Sequence, residues 1–94
     1  MSANVNGNAR LTEKQVRGLV KLVYSEVVGG ISPLDVNEET VVSDNLVKTL
    51  LVRLGDDLNC SIPQRPKPRH GWKISTFVGY IFNEQDNFLR LGPD

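Results

Sequence analysis

The chain has 94 residues, enough for one small domain, and 11 Lys and Arg residues balance 11 Asp and Glu residues to a formal net charge of zero. This balance excludes a uniformly basic nucleic-acid-binding arm and a uniformly acidic tail. No apolar run reaches the roughly 20 residues of a membrane span, and the first ten residues contain no apolar signal core, so we expect no membrane association. A single cysteine, Cys60, excludes an intramolecular disulfide and favours a cytoplasmic protein.

The first predicted element is a helix from about residue 12 to residue 28, preceded by a flexible, Asn-rich tail at residues 1–10. Thr12 and Gln15 have the spacing of a capping box, in which each side chain bonds the backbone N–H of the other residue. Apolar residues then recur at helical spacing until Gly29-Gly30 end the pattern. They are Val16, Leu19, Val20, Val23, Tyr24, Val27 and Val28.

A second helix is predicted to begin at Ser43 or Asp44, because either side chain can accept a backbone N–H, and to end before Pro63. Upstream, Ser32-Pro33 favours a single helical turn within an acidic loop. The apolar stripe of the second helix lies opposite its charged residues. The stripe is Val47, Leu50, Leu51, Leu54 and Leu58, and the charged residues are Lys48, Arg53, Asp56 and Asp57.

A last helix is predicted to start near Ser75 or Thr76 and to close at Gly92-Pro93. Its stripe comprises Ile74, Phe77, Val78, Ile81, Phe82, Gln85 and Leu89. Three amphipathic helices must bury their apolar faces against one another. We therefore predict one all-α domain over residues 11–90, a small three- to four-helix bundle.

Few residues suit metal binding or catalysis. One cysteine and one histidine cannot form a structural zinc shell, so we expect no metal. Cys60 and His70 could form a nucleophile and its base. We favour instead a half-buried cysteine at a helix end and an exposed loop histidine, and we expect that the protein is not an enzyme.

The charges are unevenly distributed along the chain. Residues 26–63 hold seven acids against two bases, whereas residues 64–73, here called the basic loop, hold four bases and no acid. The two segments are either ordinary solvated surfaces or a bipolar binding surface. Trp72 in the loop either stacks on a base or aromatic ligand or plugs the end of the bundle. The candidate partner-binding residues are Asp44, Asp56, Asp57, Arg65, Lys67, Arg69, Trp72 and Lys73.

Three segments mark the order of the elements. The second helix opens with Ser43-Asp44-Asn45-Leu46, it is followed by Leu58-Asn59-Cys60-Ser61-Ile62-Pro63, and the last helix opens with Ile74-Ser75-Thr76-Phe77. Together with Leu50-Leu51 and Leu54, this order resembles the acyl carrier protein family over about residues 12–85. The resemblance implies the bundle of that family. It also implies a 4′-phosphopantetheine arm that carries an acyl or aminoacyl group to partner enzymes.

The family attaches its arm to the serine of an Asp-Ser-Leu motif at the start of the second helix. Counting back from Ile62-Pro63 places Asp44 at that position, and aligning on Leu46 places Asn45 there. The nearest hydroxyl belongs to Ser43, which is either the attachment site or only a helix cap.

Two hypotheses follow from the absence of a serine at the position where the family attaches its arm. In the first, the chain is a divergent carrier with its arm on Ser43, and its partners are acyl- or aminoacyl-transferring enzymes. The order of the elements favours this hypothesis. In the second, a non-catalytic module has kept the bundle, lost the arm and binds an acidic protein face or nucleic acid through the basic loop. Asp44 and Asn45 favour this alternative.

Overall fold

The computed structural model describes residues 10–60, 62 and 71–91, which form a mostly helical domain. The helices are α1 (Glu13–Val28), α2 (Asp44–Leu58) and α3 (Ile74–Leu91), with a 3₁₀ turn at Pro33–Asp35 and short strands β1 (Val41–Val42) and β2 (Trp72–Lys73). The prediction of an all-α domain is confirmed in that the domain consists mainly of these three helices. Residues 1–9 of the predicted tail and residues 64–70 of the basic loop lie outside the described residues.

Helix α1 begins with the predicted capping box. Gln15 donates its backbone N–H to Thr12 Oγ1 at 3.1 Å, and Thr12 donates its backbone N–H to Gln15 Oε1 at 2.8 Å. The helix ends at Gly29, whose φ of 76° suits a residue without a side chain. Most of the predicted stripe is buried or half-buried, but Val28 is exposed because the helix ends there.

Helix α2 has the predicted start, end and orientation. Ser43 is its N-cap, and Asn59 ends it in the left-handed conformation with a φ of 56°. The stripe residues Val47 to Leu54 are buried and Leu58 is half-buried. The four charged residues predicted on the other side are all exposed: Lys48, Arg53, Asp56 and Asp57.

Helix α3 begins at Ile74, just before the predicted start. Its buried stripe includes Phe88, which the prediction missed because it continued the stripe to Leu89 instead. The side chain of Leu89 lies outside the described part of the chain. Helix α1 packs against both α2 and α3, and the three stripes meet in one core. None of the described helices combines the length and apolarity needed to cross a bilayer.

Sequence patterns did not predict the strand pair formed by β1 and β2. The two strands are antiparallel, with Val41 opposite Lys73 and Val42 opposite Trp72. Two-residue strands are too short to show an alternating pattern. The pair joins the segments that lead into α2 and α3, and because the strands are antiparallel the two helices leave from opposite ends of the pair.

Candidate functional site

The candidate site is built around the start of α2, where Ser43 follows β1. Ser43 Oγ accepts a hydrogen bond from the Leu46 backbone N–H at 3.4 Å, and the Ser43 carbonyl accepts one from the Val47 N–H at 2.8 Å. The Ser43 residue is nevertheless exposed. The predicted helix-cap role is confirmed, and the hydroxyl oxygen is accessible from solvent.

Two further polar residues occupy the first turn of α2. Asp44 and Asn45 are both exposed, and Asp44 supplies a carboxylate at the positive end of the helix dipole. This placement stabilises the helix start. Neither of the two residues that the resemblance aligns with the family's serine carries a hydroxyl.

The acidic candidates do not form one cluster. Asp56 lies more than three helical turns from Asp44, or about 18 Å at a rise of 1.5 Å per residue. Asp57 follows it at the same end of α2, and all three carboxylates are exposed. A partner that contacts all three must therefore extend along the length of the helix.

The described end of the basic loop lies next to the start of α2. Trp72, half-buried in β2, packs edge-on against Phe77 with ring centres 5.3 Å apart and against Tyr80 at 5.1 Å. This packing favours the interpretation that Trp72 plugs the end of the bundle. Lys73 Nζ lies 2.9 Å from Glu39 Oε1, so its charge is already paired, although both groups remain exposed.

Three of the predicted loop cations lie outside the described residues. These are Arg65, Lys67 and Arg69. The strand pair nevertheless fixes where the loop ends, because Trp72 is the partner of Val42 and Val42 precedes Ser43. Ser43 and the described end of the loop are therefore neighbours.

An ion-pair network missed by sequence reasoning supports the segment before β1. Glu38 Oε2 lies 3.1 Å from Arg17 Nε and 3.3 Å from Lys21 Nζ. The Arg17 Nε contact is an ion pair without hydrogen-bond geometry. Arg17 also pairs with Glu13 one helical turn away, which is the part that helical spacing could have indicated. The network ties the acidic loop to α1.

A groove of about 210 Å³ runs beside the second half of α2. Gly55 is part of its lining, and the Cys60 carbonyl oxygen packs so closely on this residue that a Cβ there would lie 2.7 Å from it. Polar and apolar atoms contribute about equally to the surface of the groove, which includes one carboxylate. Its lining residues are Leu51, Val52, Gly55, Asp56, Cys60 and Ile62.

Cys60 lies just after the end of α2, as predicted, but its thiol is buried rather than half-buried. Burial raises the pKa of the Cys60 thiol above its usual range, because the thiolate loses hydration. A raised pKa opposes nucleophilic activation. His70, the base considered for it, lies outside the described residues, and no group of three or more candidate metal ligands occurs among the residues that the structure describes.

Comparison with known proteins identifies no relative, so any functional conclusion depends on the residues and geometry of this chain. No family model, curated protein or solved structure matches this chain. The resemblance to acyl carrier proteins therefore rests on the residues quoted above alone.

Proposed function

We propose that this chain is a divergent carrier domain that holds a 4′-phosphopantetheine arm on Ser43 and presents an acyl or aminoacyl group to partner enzymes, without being an enzyme itself. The observation that carries this proposal is the exposed hydroxyl of Ser43 at the N-cap of α2. A helix N-terminus favours a phosphodiester, because its free N–H groups and its dipole stabilise negative charge. The 3.4 Å bond from Leu46 is long, so esterification of Oγ sacrifices little.

The groove beside α2 supports the same proposal. Leu51, the first residue of its lining, follows Ser43 by eight residues, or about 12 Å along the helix axis. An apolar group tethered to Ser43 by a flexible arm could fold back along α2 and enter this groove. Burial of that group would protect it from water and is favoured by the hydrophobic effect.

Intact-mass measurement tests the proposal. The purified chain is incubated with coenzyme A and a promiscuous phosphopantetheinyl transferase, and one arm is expected to be added. Ser43→Ala should abolish the addition. Ser32→Ala is the matched control, because Ser32 is also an exposed N-cap and its Oγ accepts from the Leu34 N–H at 3.3 Å. An unmodified wild-type chain, or a Ser43→Ala variant that still gains the mass, would contradict the proposal.

A second candidate function is a binding module without an arm. Asp44 favours it, because the residue counted back from Ile62-Pro63 is the first residue of α2 and carries a carboxylate. Asp44→Ser separates the two functions. A transferase that modifies Asp44→Ser but not the wild-type chain would indicate a carrier scaffold that has lost its attachment residue.

If the chain is a binding module, the cations of the basic loop should be required for binding. These four cations are replaced together by glutamine, and binding to a fluorescent polyglutamate peptide and to a single-stranded oligonucleotide is measured over a salt series. The variant should bind more weakly and with a flatter salt dependence. Lys14→Gln, a change at an exposed position on α1, is the control. Binding that ignores both the salt and the four charges would exclude the loop as a binding site.

A further inference from the structure

Beyond the short β1–β2 ladder, the two segments continue to pair. Ile74 donates its backbone N–H to the Thr40 carbonyl at 2.9 Å, and Ser75 donates to the Glu38 carbonyl at 3.0 Å. The Lys73–Glu39 ion pair bridges the same two segments. Residues 38–42 therefore pair with residues 71–75. The first of these segments ends immediately before Ser43.

Gly71 stands at the end of this pairing that lies nearest to Ser43. Its φ of 83° is in the left-handed region, and a Cβ at this position would collide with the Val42 carbonyl oxygen and lie 3.0 Å from Val41 Cγ1. Because the nearest obstacle is backbone rather than a flexible side chain, a Cβ at Gly71 requires the backbone of Gly71 or of β1 to move. Val42 is buried and adjoins Ser43, so a movement of β1 displaces the cap of α2.

We propose that Gly71 is a positioning residue for the Ser43 hydroxyl: the close approach of its backbone to Val42 sets where β1 ends and hence where the α2 cap and its hydroxyl lie. The consequence for arm attachment rests on the proposed function. The structural part of the proposal stands without it and has its own measurement.

The chain offers a matched control for Gly71→Ala. Gly30 has a φ of 75°, close to that of Gly71, but a Cβ added there meets no atom within 4 Å. Gly30→Ala therefore carries a positive-φ penalty of the same kind without the collision. Any effect at the α2 cap that is specific to Gly71→Ala comes from the contact with Val42.

The first measurement is amide hydrogen exchange and chemical shift at the α2 cap. The Val47 amide, which donates to the Ser43 carbonyl, should exchange faster in Gly71→Ala than in Gly30→Ala, and the Leu46 amide resonance should shift. The Leu54 amide, in the middle of α2, is the internal reference. Equal Val47 exchange in the two variants would overturn the proposal.

A second variant decides the matter if Gly71→Ala does not fold. Glu39→Gln breaks the ion pair with Lys73 at an exposed position and introduces no collision. Glu39→Gln should also make the Val47 amide exchange faster, but by less than a collision that forces β1 and β2 apart. Exchange unchanged by Glu39→Gln in that situation would overturn the proposal.

The functional measurement is the steady-state rate of arm transfer. Gly71→Ala leaves the exposed face of α2 intact, so KM for the chain should stay unchanged while kcat falls on the order of ten- to a hundredfold, since a displacement of about 1 Å suffices for such a loss. A rise in KM at constant kcat would contradict positioning. A wild-type chain that accepts no arm refutes the proposed function alone, because the exchange measurements still decide the role of Gly71.

Discussion

Gln85 of α3 pairs with both backbone groups of Leu11, the residue before the α1 cap. The Leu11 N–H donates to Gln85 Oε1 at 2.8 Å, and Gln85 Nε2 donates to the Leu11 carbonyl at 2.9 Å. Gln85 is buried, so its amide replaces water for a stretch of chain that no helix or strand satisfies. Arg10, assigned by sequence to the tail, pairs with Asp86 next to this contact and lies 5.4 Å from the centre of the Phe82 ring. The second half of α3 therefore anchors the start of the domain.

We expect Gln85→Met to lower the free energy of unfolding by about 1–3 kcal/mol, because methionine fills similar space but leaves the Leu11 groups unpaired. Urea denaturation measures the change. Asn87→Ala on the exposed side of α3 removes only the bond to Glu84 and should change the free energy by no more than about 0.5 kcal/mol. Equal free energies of unfolding for the two variants would mean that the Gln85–Leu11 hydrogen bonds do not stabilise the domain.

Core truncation on α2 should cost far more than truncation of the adjacent surface residue. Leu54 is fully buried, and Leu54→Ala is expected to lower the free energy of unfolding by about 2–5 kcal/mol through the cavity it leaves. Arg53 is exposed, and Arg53→Ala should lie within about 0.5 kcal/mol of the wild type. Chemical denaturation of both variants provides the test, and similar midpoints would mean that the buried face of α2 is misassigned.

Two helical glycines should respond oppositely to a methyl group. Alanine is favoured over glycine within a helix by about 1 kcal/mol, so Gly79→Ala, which meets no atom within 4 Å, should stabilise the domain. At Gly55 the same methyl would lie 2.7 Å from the Cys60 carbonyl oxygen, which is backbone and cannot rotate away. We expect Gly55→Ala to be destabilising and to change the groove. Thermal unfolding of both variants tests this, and an increase in Tm for Gly55→Ala would show that the segment after α2 moves freely.

The raised pKa of Cys60 predicts a loss of stability at alkaline pH. The thiol of the unfolded chain ionises first, near its ordinary pKa of about 8.5, and this favours the unfolded state. The stabilising contribution is complete below that pH and is lost as the pH rises toward the folded-state pKa. The difference in the free energy of unfolding between the wild type and Cys60→Ala, measured from pH 7 to pH 10, should be constant at first and shrink above about 8.5. A difference that stays constant throughout would mean that the thiol ionises equally in both states.

The elements that the sequence predicted well depend on local interactions. The Thr12–Gln15 capping box joins residues three positions apart, and Ser43 caps α2 through Leu46 at the same separation. The burial of Leu54 and the exposure of Arg53 follow from helical spacing alone. These features concern neighbours along the chain, so residue types and spacing are enough to indicate them.

The features that only the tertiary structure decided join residues far apart in sequence. Three such features are the contact of Gly71 with Val42, the hydrogen bonds of Gln85 to Leu11 and the ion pairs of Glu38 with α1. They leave no periodic pattern in the sequence, because each depends on how the helices are oriented after packing. The sequence by itself determined a capped, amphipathic three-helix chain and named Ser43 as a candidate. Packing of the helices determined that this serine lies beside the end of the basic loop, since only a folded core can bring β1 and β2 together against the entropy of closing the intervening chain.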